Sequence, residues 1–323
     1  MEYNNAVILE DIKDYVFLGS SSKLENKIIM EDSNWSKYLP ITEYQGSRYF
    51  DSWGCVGYSA LNAIETYFRY LINNGLISRE NVKWLKDNMY WQNGQVNFSD
   101  RYTNAKAGTK VGYGNTGSRV ANTIREYGLV PEFLWPLTTE MKVEEFYAEP
   151  PSAMDELGQE FKKRFQINFE SFWLKDIKSA LLYSPVQVYV LAWYKNDDGI
   201  YYNPKEKVNH AVCKIRTGEK QIFDTYDPYI KTLTYDYYYH PTGYKYSVTE
   251  IINKMNIDQF LRDNDLLFVR NTKTGQFGRI MQNKLMTVET KDRATLMLLD
   301  DAVRLNGRGL SNDEWEILPK QKF

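Results

Sequence analysis

Between Cys55 and Leu71 the apolar side chains Val56, Ala60, Ala63, Ile64, Tyr67 and Leu71 return at helical spacing, which predicts a helix with a buried stripe. Asn73-Asn74-Gly75 supplies its stop, because these residues tolerate the backbone that ends a helix. A second helix is expected to open at Ser78-Arg79-Glu80 and run through Trp84-Leu85. Residues 92–118 carry no clear period, are rich in Gly, Asn and Thr, and read as a long irregular loop of the functional or mobile kind. Helical spacing returns from Ser118 to Tyr127 and closes at Gly128, with Pro131 and Pro136 beyond. Pro150-Pro151 marks a seam between two halves, and 152–166 reads as one more helix.

Past the seam the pattern changes. A short helix, Ile177 to Leu182, leads into Pro185-Val186-Gln187-Val188-Tyr189-Val190-Leu191, a strand by its β-branched content. Asp197-Asp198-Gly199 is a hairpin-type turn. Strands are predicted at His210 to Ile215 and Gln221 to Asp224, joined by Thr217-Gly218-Glu219-Lys220. Helices first and strands afterwards make an α+β layout. From about residue 250 the texture shifts again. Val248 to Leu261 reads as helix, Leu266 to Arg270 and Gly278 to Met281 as strands, and Arg293 to Leu305 as helix stopped by Asn306-Gly307. Ser311-Asn312-Asp313-Glu314 resembles a capping box before Trp315. Residues 250–323 are therefore expected to form a small α/β appendage without a chemical motif of its own. No internal repeat is visible.

Composition narrows the function classes. Apolar residues make up 43% of the 323, enough for a sizeable core, and the net charge of −2 comes from mixed signs with no basic stripe, so nucleic acid is not an expected partner. No stretch approaches the roughly 20 apolar residues that span a bilayer, and Met1-Glu2-Tyr3-Asn4-Asn5 lacks a secretory signal's basic start and apolar run, so the expected location is cytoplasmic. The two cysteines, Cys55 and Cys213, cannot make a disulfide framework, and a reducing compartment, or a virion interior, suits them. The 26 tyrosines are expected to line grooves and lobe interfaces.

Chemistry is carried by few residues. Cys55 falls on the first turn of the first predicted helix, where partial positive charge and unpaired N–H groups favour a thiolate. Far downstream come Asn209-His210-Ala211-Val212 and Phe223-Asp224-Thr225-Tyr226-Asp227-Pro228. Thiol, imidazole and carboxylate in that order are the parts of a cysteine hydrolase. Cys213, three residues past His210, points to the opposite strand face and reads as a core hydrophobe. His240 reads as a loop residue. Two histidines and two cysteines are too few for a convincing zinc site, so neither metal nor cofactor is expected.

Longer stretches resemble the papain-like cysteine peptidases. Asp32-Ser33-Asn34-Trp35-Ser36-Lys37, followed by Pro40-Ile41-Thr42-Glu43-Tyr44-Gln45-Gly46, is similar to that family's mature start. Ile124 to Glu132, with Trp135-Pro136, is similar to its helix and Tyr-Gly turn. Ala180-Leu181-Leu182, Pro185-Val186-Gln187-Val188, Gly199-Ile200-Tyr201 and Asn209-His210-Ala211-Val212 follow, in order, the family's approach to its histidine. The resemblance covers roughly 32–245 and points to a phage or bacterial type. It implies a two-lobed α+β fold, with a helical left lobe and an antiparallel right lobe at 32–249. Residues 1–31 would form a short pro-segment or arm, and 250–323 the extension. It also implies Cys55 as nucleophile, His210 as base, Asp224 in place of the family's asparagine, and Gln45 as oxyanion donor beside the Cys55 N–H.

The match departs from the family in three places. The usual residues around the thiol are absent, Gln45 lies further before Cys55 than is usual so that extra residues must loop out, and Asp227 is a second acceptor within reach of the same strand. Trp53, Tyr58, Gly112 to Gly114 and Trp193 would line the groove. The function implied is cleavage of a polypeptide substrate through a Cys55 thioester. A scaffolding protein that keeps the papain-like body, with a protein partner on its C-terminal extension, is the second reading. Acyl transfer or amide cleavage by the same three groups is the third.

Overall fold

The computed structural model describes residues 7–9, 29–203, 208–217 and 220–251, together with the backbone of five strands between 268 and 317. The chain divides into two compact units, Met1–Ile251 and Ile252–Phe323.

In the first unit the helices are α1 (Cys55–Asn73), α2 (Arg79–Asp87), α3 (Asp100–Lys106), α4 (Gly117–Tyr127), α5 (Val143–Phe146), α6 (Ser152–Lys162) and α7 (Ile177–Leu181). The strands are β1 (Trp91–Gln92), β2 (Gln95–Val96), β3 (Phe165–Trp173), β4 (Val186–Val190), β5 (Tyr194–Lys195), β6 (Tyr201–Tyr202), β7 (His210–Lys214), β8 (Gln221–Phe223), β9 (Ile230–Thr232) and β10 (Thr242–Glu250). The fold is α+β: helices come first, and a six-stranded antiparallel sheet of order β3-β10-β4-β7-β8-β9 follows.

Helix α1 is buried on nearly every side, as expected of a helix wedged inside a domain rather than lying on it. It packs on α3 and α4 in one direction and on β4, β7 and β10 in the other. Its helical side is filled by an aromatic cluster: Phe161 lies 5.1 Å from Phe165, 5.5 Å from Phe98, 5.6 Å from Tyr90 and 6.1 Å from Phe68 between ring centroids. Its sheet side is pinned by Gln187 of β4. The Gln187 Nε2 donates to the Val56 carbonyl and to Ser59 Oγ, each at 2.7 Å, and its Oε1 accepts from the Tyr246 hydroxyl at 2.9 Å. The side chain is fully buried, so these bonds have no competition from water. The incoming chain straps the same sheet: Trp35 N–H donates to the Ile215 carbonyl (2.9 Å) and its indole N–H to Leu181 (2.7 Å).

Capping follows the sequence at several ends. Ser78, Ser99 and Thr116 accept from backbone N–H groups at the starts of α2, α3 and α4, and Gly128 closes α4 in the left-handed region at φ 80°.

Four expectations are corrected. Residues 92–118 are not one irregular loop: they contain the end of the β1–β2 hairpin and α3, which forms because Ser99 caps it and because it buries Tyr102, Thr103 and Asn104. The helix from 152 stops at Lys162, and β3 follows. Phe165, Ile167 and Phe169 alternate inward there, a period of two instead of a helical one. Residues 248–250 belong to β10, paired to β3 through Val248↔Ile167 and Glu250↔Phe165; the rest of the helix predicted to Leu261 lies outside the described residues. In the second unit, residues 293–297 are strand and not helix.

That unit contains β11 (Phe268–Asn271), β12 (Phe277–Met281), β13 (Lys284–Thr290), β14 (Arg293–Met297) and β15 (Trp315–Ile317), in the order β14-β13-β12-β11-β15. Ser311 to Glu314, read as a capping box, lies outside the described residues.

Candidate active site

Cys55 is the first residue of α1, and the chain before it is shaped to put it there. Trp53 adopts a left-handed φ of 50°, and Gly54 N–H donates to Ser52 Oγ at 3.2 Å. A Cβ on Gly54 or on Gly57 would stand 2.8 Å or 2.5 Å from the Asn104 amide nitrogen, so both glycines are needed to let α3 lie against the start of α1. Cys55 is fully buried there.

The other half of the site comes from the sheet. His210 opens β7 opposite Val190 of β4, is 3% exposed, and is in hydrogen-bond contact with the Cys55 thiol. Its Nε2 meets Asp224 Oδ1 at 2.6 Å, leaving Nδ1 as the ring nitrogen for the thiol. Asp224 follows β8, is buried, and accepts from the Thr225 N–H at 2.8 Å. Asp227, the second acceptor considered, is exposed. The imidazole is sandwiched by aromatics: Trp193 meets it edge-on at 5.6 Å and Tyr226 lies 5.3 Å away. Burial pulls the His210 pKa down, but the charges of Asp224 and Cys55 and the bonds to both outweigh it and carry it to about 10. Burial raises the Asp224 carboxyl, yet His210 and Lys231 together hold it below its ordinary value.

Gln45 is also brought to this site. The residues after it turn back, with Gly46 bridging to Asp51, Ser47 N–H on the Phe50 carbonyl (2.9 Å) and Ser52 N–H on the Gln45 carbonyl (3.1 Å), so the extra length is looped out. Its amide is engaged: Nε2 donates to Tyr226 Oη (2.7 Å) and Asp51 Oδ1 (3.1 Å), and Oε1 accepts from Thr225 Oγ1 (2.6 Å). The Tyr226 hydroxyl donates to the other Asp51 oxygen, closing the network.

Of the groove residues expected, Trp193 stands against the imidazole, and Trp53 is two residues before the thiol in the chain. Tyr58 is buried instead of lining an opening, because it faces inward from α1. Gly112 and Gly114 stand in a turn in which Gly114 N–H bonds Lys110. Cys213 faces away from His210, fully buried, and burial pushes its thiol up. His240 is buried, with Nδ1 3.0 Å from Thr242 Oγ1.

Sequence reasoning missed Lys231, whose Nζ lies 2.7 Å from Asp224 Oδ2. The signal was faint: in Ile230-Lys231-Thr232 it is the lysine that points inward, inverting the usual pattern of a strand. It also missed a second set of carboxyls. Glu43, Glu65, Asp100 and Glu132 are packed together, each with a pKa raised first by burial; neighbouring charges raise it further at Glu65, Asp100 and Glu132, and hydrogen bonds partly offset the rise at Glu43, Glu65 and Glu132. Asn97 Nδ2 donates to Glu43 at 2.8 Å and Phe98 N–H to Glu65 at 2.7 Å. Among the described residues no group of three or more His, Cys, Asp or Glu is arranged to hold a metal ion, and no helix is long and apolar enough to cross a membrane.

No protein-family model matches this sequence, and no curated protein does either. Solved structures similar to it are papain-like cysteine proteases. Xylellain from Xylella fastidiosa aligns over 75% of this chain and 95% of its own, at 14% identity and a TM-score of 0.48. Digestive procathepsin L 3 from the larval midgut of Tenebrio molitor aligns over 72% and 77%, at 13% identity and 0.43. Bromelain from Ananas comosus, solved with the inhibitor E64, aligns over 67% and 96%, at 12% identity and 0.42.

Proposed function

We propose that this chain is a cysteine hydrolase that cleaves peptide bonds through Cys55. The observation that carries the reading is the contact between a thiol on the first turn of a buried helix and an imidazole whose far nitrogen is fixed by a buried carboxylate. In this reading the Cys55 sulfur attacks the scissile carbonyl as thiolate, and His210 gives its proton to the leaving amine as the thioester forms. Water, deprotonated by His210, then attacks the thioester and restores the thiol. Asp224 holds the ring in orientation throughout. The backbone N–H at Cys55 and the Gln45 amide are the donors for the oxyanion; the latter has to exchange its bond to Tyr226 or Asp51 for one to the substrate.

One observation favours a second reading, a body of this fold that performs no hydrolysis: Cys55 is fully buried and the Gln45 amide is already bonded. Alkylation of Cys55 against Cys213, mapped by peptide mass from pH 4 to 9, separates the two. Rapid reaction of Cys55 well below the free-thiol pKa of about 8.5, slowed in His210→Ala, is the expected result. A Cys55 that reacts no faster than Cys213 in the folded protein would overturn the hydrolase reading.

A further inference from the structure

Behind His210 the line of groups does not end at the carboxylate. Lys231, on β9, is 1% exposed; its ammonium donates to the Pro228 carbonyl at 2.7 Å and the Tyr226 carbonyl at 2.5 Å, and forms an ion pair with Asp224 Oδ2 at 2.7 Å. The rings of Trp193 and Tyr201 stand 5.2 Å and 5.6 Å from it and close it off from solvent. Trp193 is the same ring that meets His210 edge-on. Asp224 therefore sits between two buried cationic groups, using one oxygen for each. A lone carboxylate in this place would bind the imidazolium more tightly and hold its proton harder against transfer; a carboxylate paired with Lys231 orients the ring with a weaker grip.

We propose that Lys231 is a positioning residue whose charge offsets part of that of Asp224, so that the carboxylate orients His210 with a weaker hold on its proton than it would have alone. The proposal deepens the hydrolase reading but is tested apart from it. The other groups facing this line are accounted for. Cys55 lies on the α1 side. Tyr226 and Tyr237 are neutral phenols with pKa values raised first by burial, and Asp51 acts on Tyr226 and Gln45. Asp227 is exposed and adds a weaker attraction on Lys231.

The experiment removes the thiol so that catalysis plays no part. In a Cys55→Ala background, the ring resonances of the two histidines are followed against pH by NMR and assigned with His240→Gln, since the chain has no others. Lys231→Met should raise the His210 midpoint by about one unit, because Asp224 is left uncompensated. Asp224→Asn with Lys231→Met should bring it below the parent, because the charge that raises it is gone. A purely structural Lys231 would lower the melting temperature and leave the His210 midpoint where it was, which overturns the proposal. So would a double variant whose midpoint is not below that of Lys231→Met. Should Lys231→Met alone not fold, the double variant decides: folded with a midpoint below the parent it supports the proposal, unfolded it overturns it. Cys55 alkylation in the wild type can fail while this titration behaves as stated, and the reverse, so the two readings stand or fall separately.

Discussion

Gln187→Leu is the substitution that most directly tests how the thiol-bearing helix is held on the imidazole-bearing sheet. Leucine is close to glutamine in volume, so packing changes little and the loss is that of three hydrogen bonds. The Val56 carbonyl and the Ser59 hydroxyl keep a longer bond to each other at 3.3 Å, which softens their loss. The Tyr246 hydroxyl, in a fully buried residue, loses its bond to Gln187 outright. Three buried hydrogen bonds at about 1 kcal/mol each give about 3 kcal/mol. For a unit of this size about 3 °C follows from each kcal/mol, so the melting temperature should fall by about 9 °C. The assay is thermal and urea unfolding of the full chain, with Tyr246→Phe and the double variant alongside. Because removing both partners of a buried bond is far less harmful than removing one, the double variant should recover about 1 kcal/mol or more. A fall below about 2 °C in Gln187→Leu, or strict additivity in the double variant, would refute the staple.

Two further outcomes are expected. Glu43, Glu65, Asp100 and Glu132 all have folded pKa values raised above the unfolded ones, first by burial, so their contribution is complete below about pH 4 and is lost as pH rises through the folded values. His210, also raised, adds a loss that begins above about pH 6.5 and is complete at about pH 10, whereas Asp224, lowered, costs stability only in strong acid. Melting temperature should therefore peak in mild acid, and Asp100→Asn should flatten its decline between pH 5 and pH 8; a steeper decline in that variant would contradict the sign. Gln45→Ala, assayed on a peptide substrate, should lower kcat by roughly 100-fold with little change in KM, as loss of an oxyanion donor does. An unchanged kcat would leave Gln45 as a tie between Asp51 and Thr225.

Much of the architecture was legible because its signals are local. The helical return from Val56 to Leu71, the stop at Gly128 and the β-branched run at 186–190 each report on neighbours a few residues away, and each element forms where it was expected. β3 was hidden because helix-forming residues run into it without a turn signal, although Phe165, Ile167 and Phe169 carry its period. α3 was hidden by polarity: Thr103 and Asn104 are buried for tertiary reasons that spacing does not encode. At the site, Cys55, His210 and Asp224 were visible as types in an order, and the fold brings them into contact. Lys231 and the carboxyl group around Asp100 were not, since a buried charge announces itself only through partners distant in the chain.

The division of labour between helix and sheet has a consequence for how the protein is made. The α1 segment leaves the ribosome well before β7, β8 and β9 exist, and the bonds that tie Trp35 to Ile215 and Val56 to Gln187 await strands from the second half. A nascent chain therefore carries Cys55 without its imidazole partner until β7 has emerged. The arrangement around His210 can form only after β7, β8 and β9 have emerged.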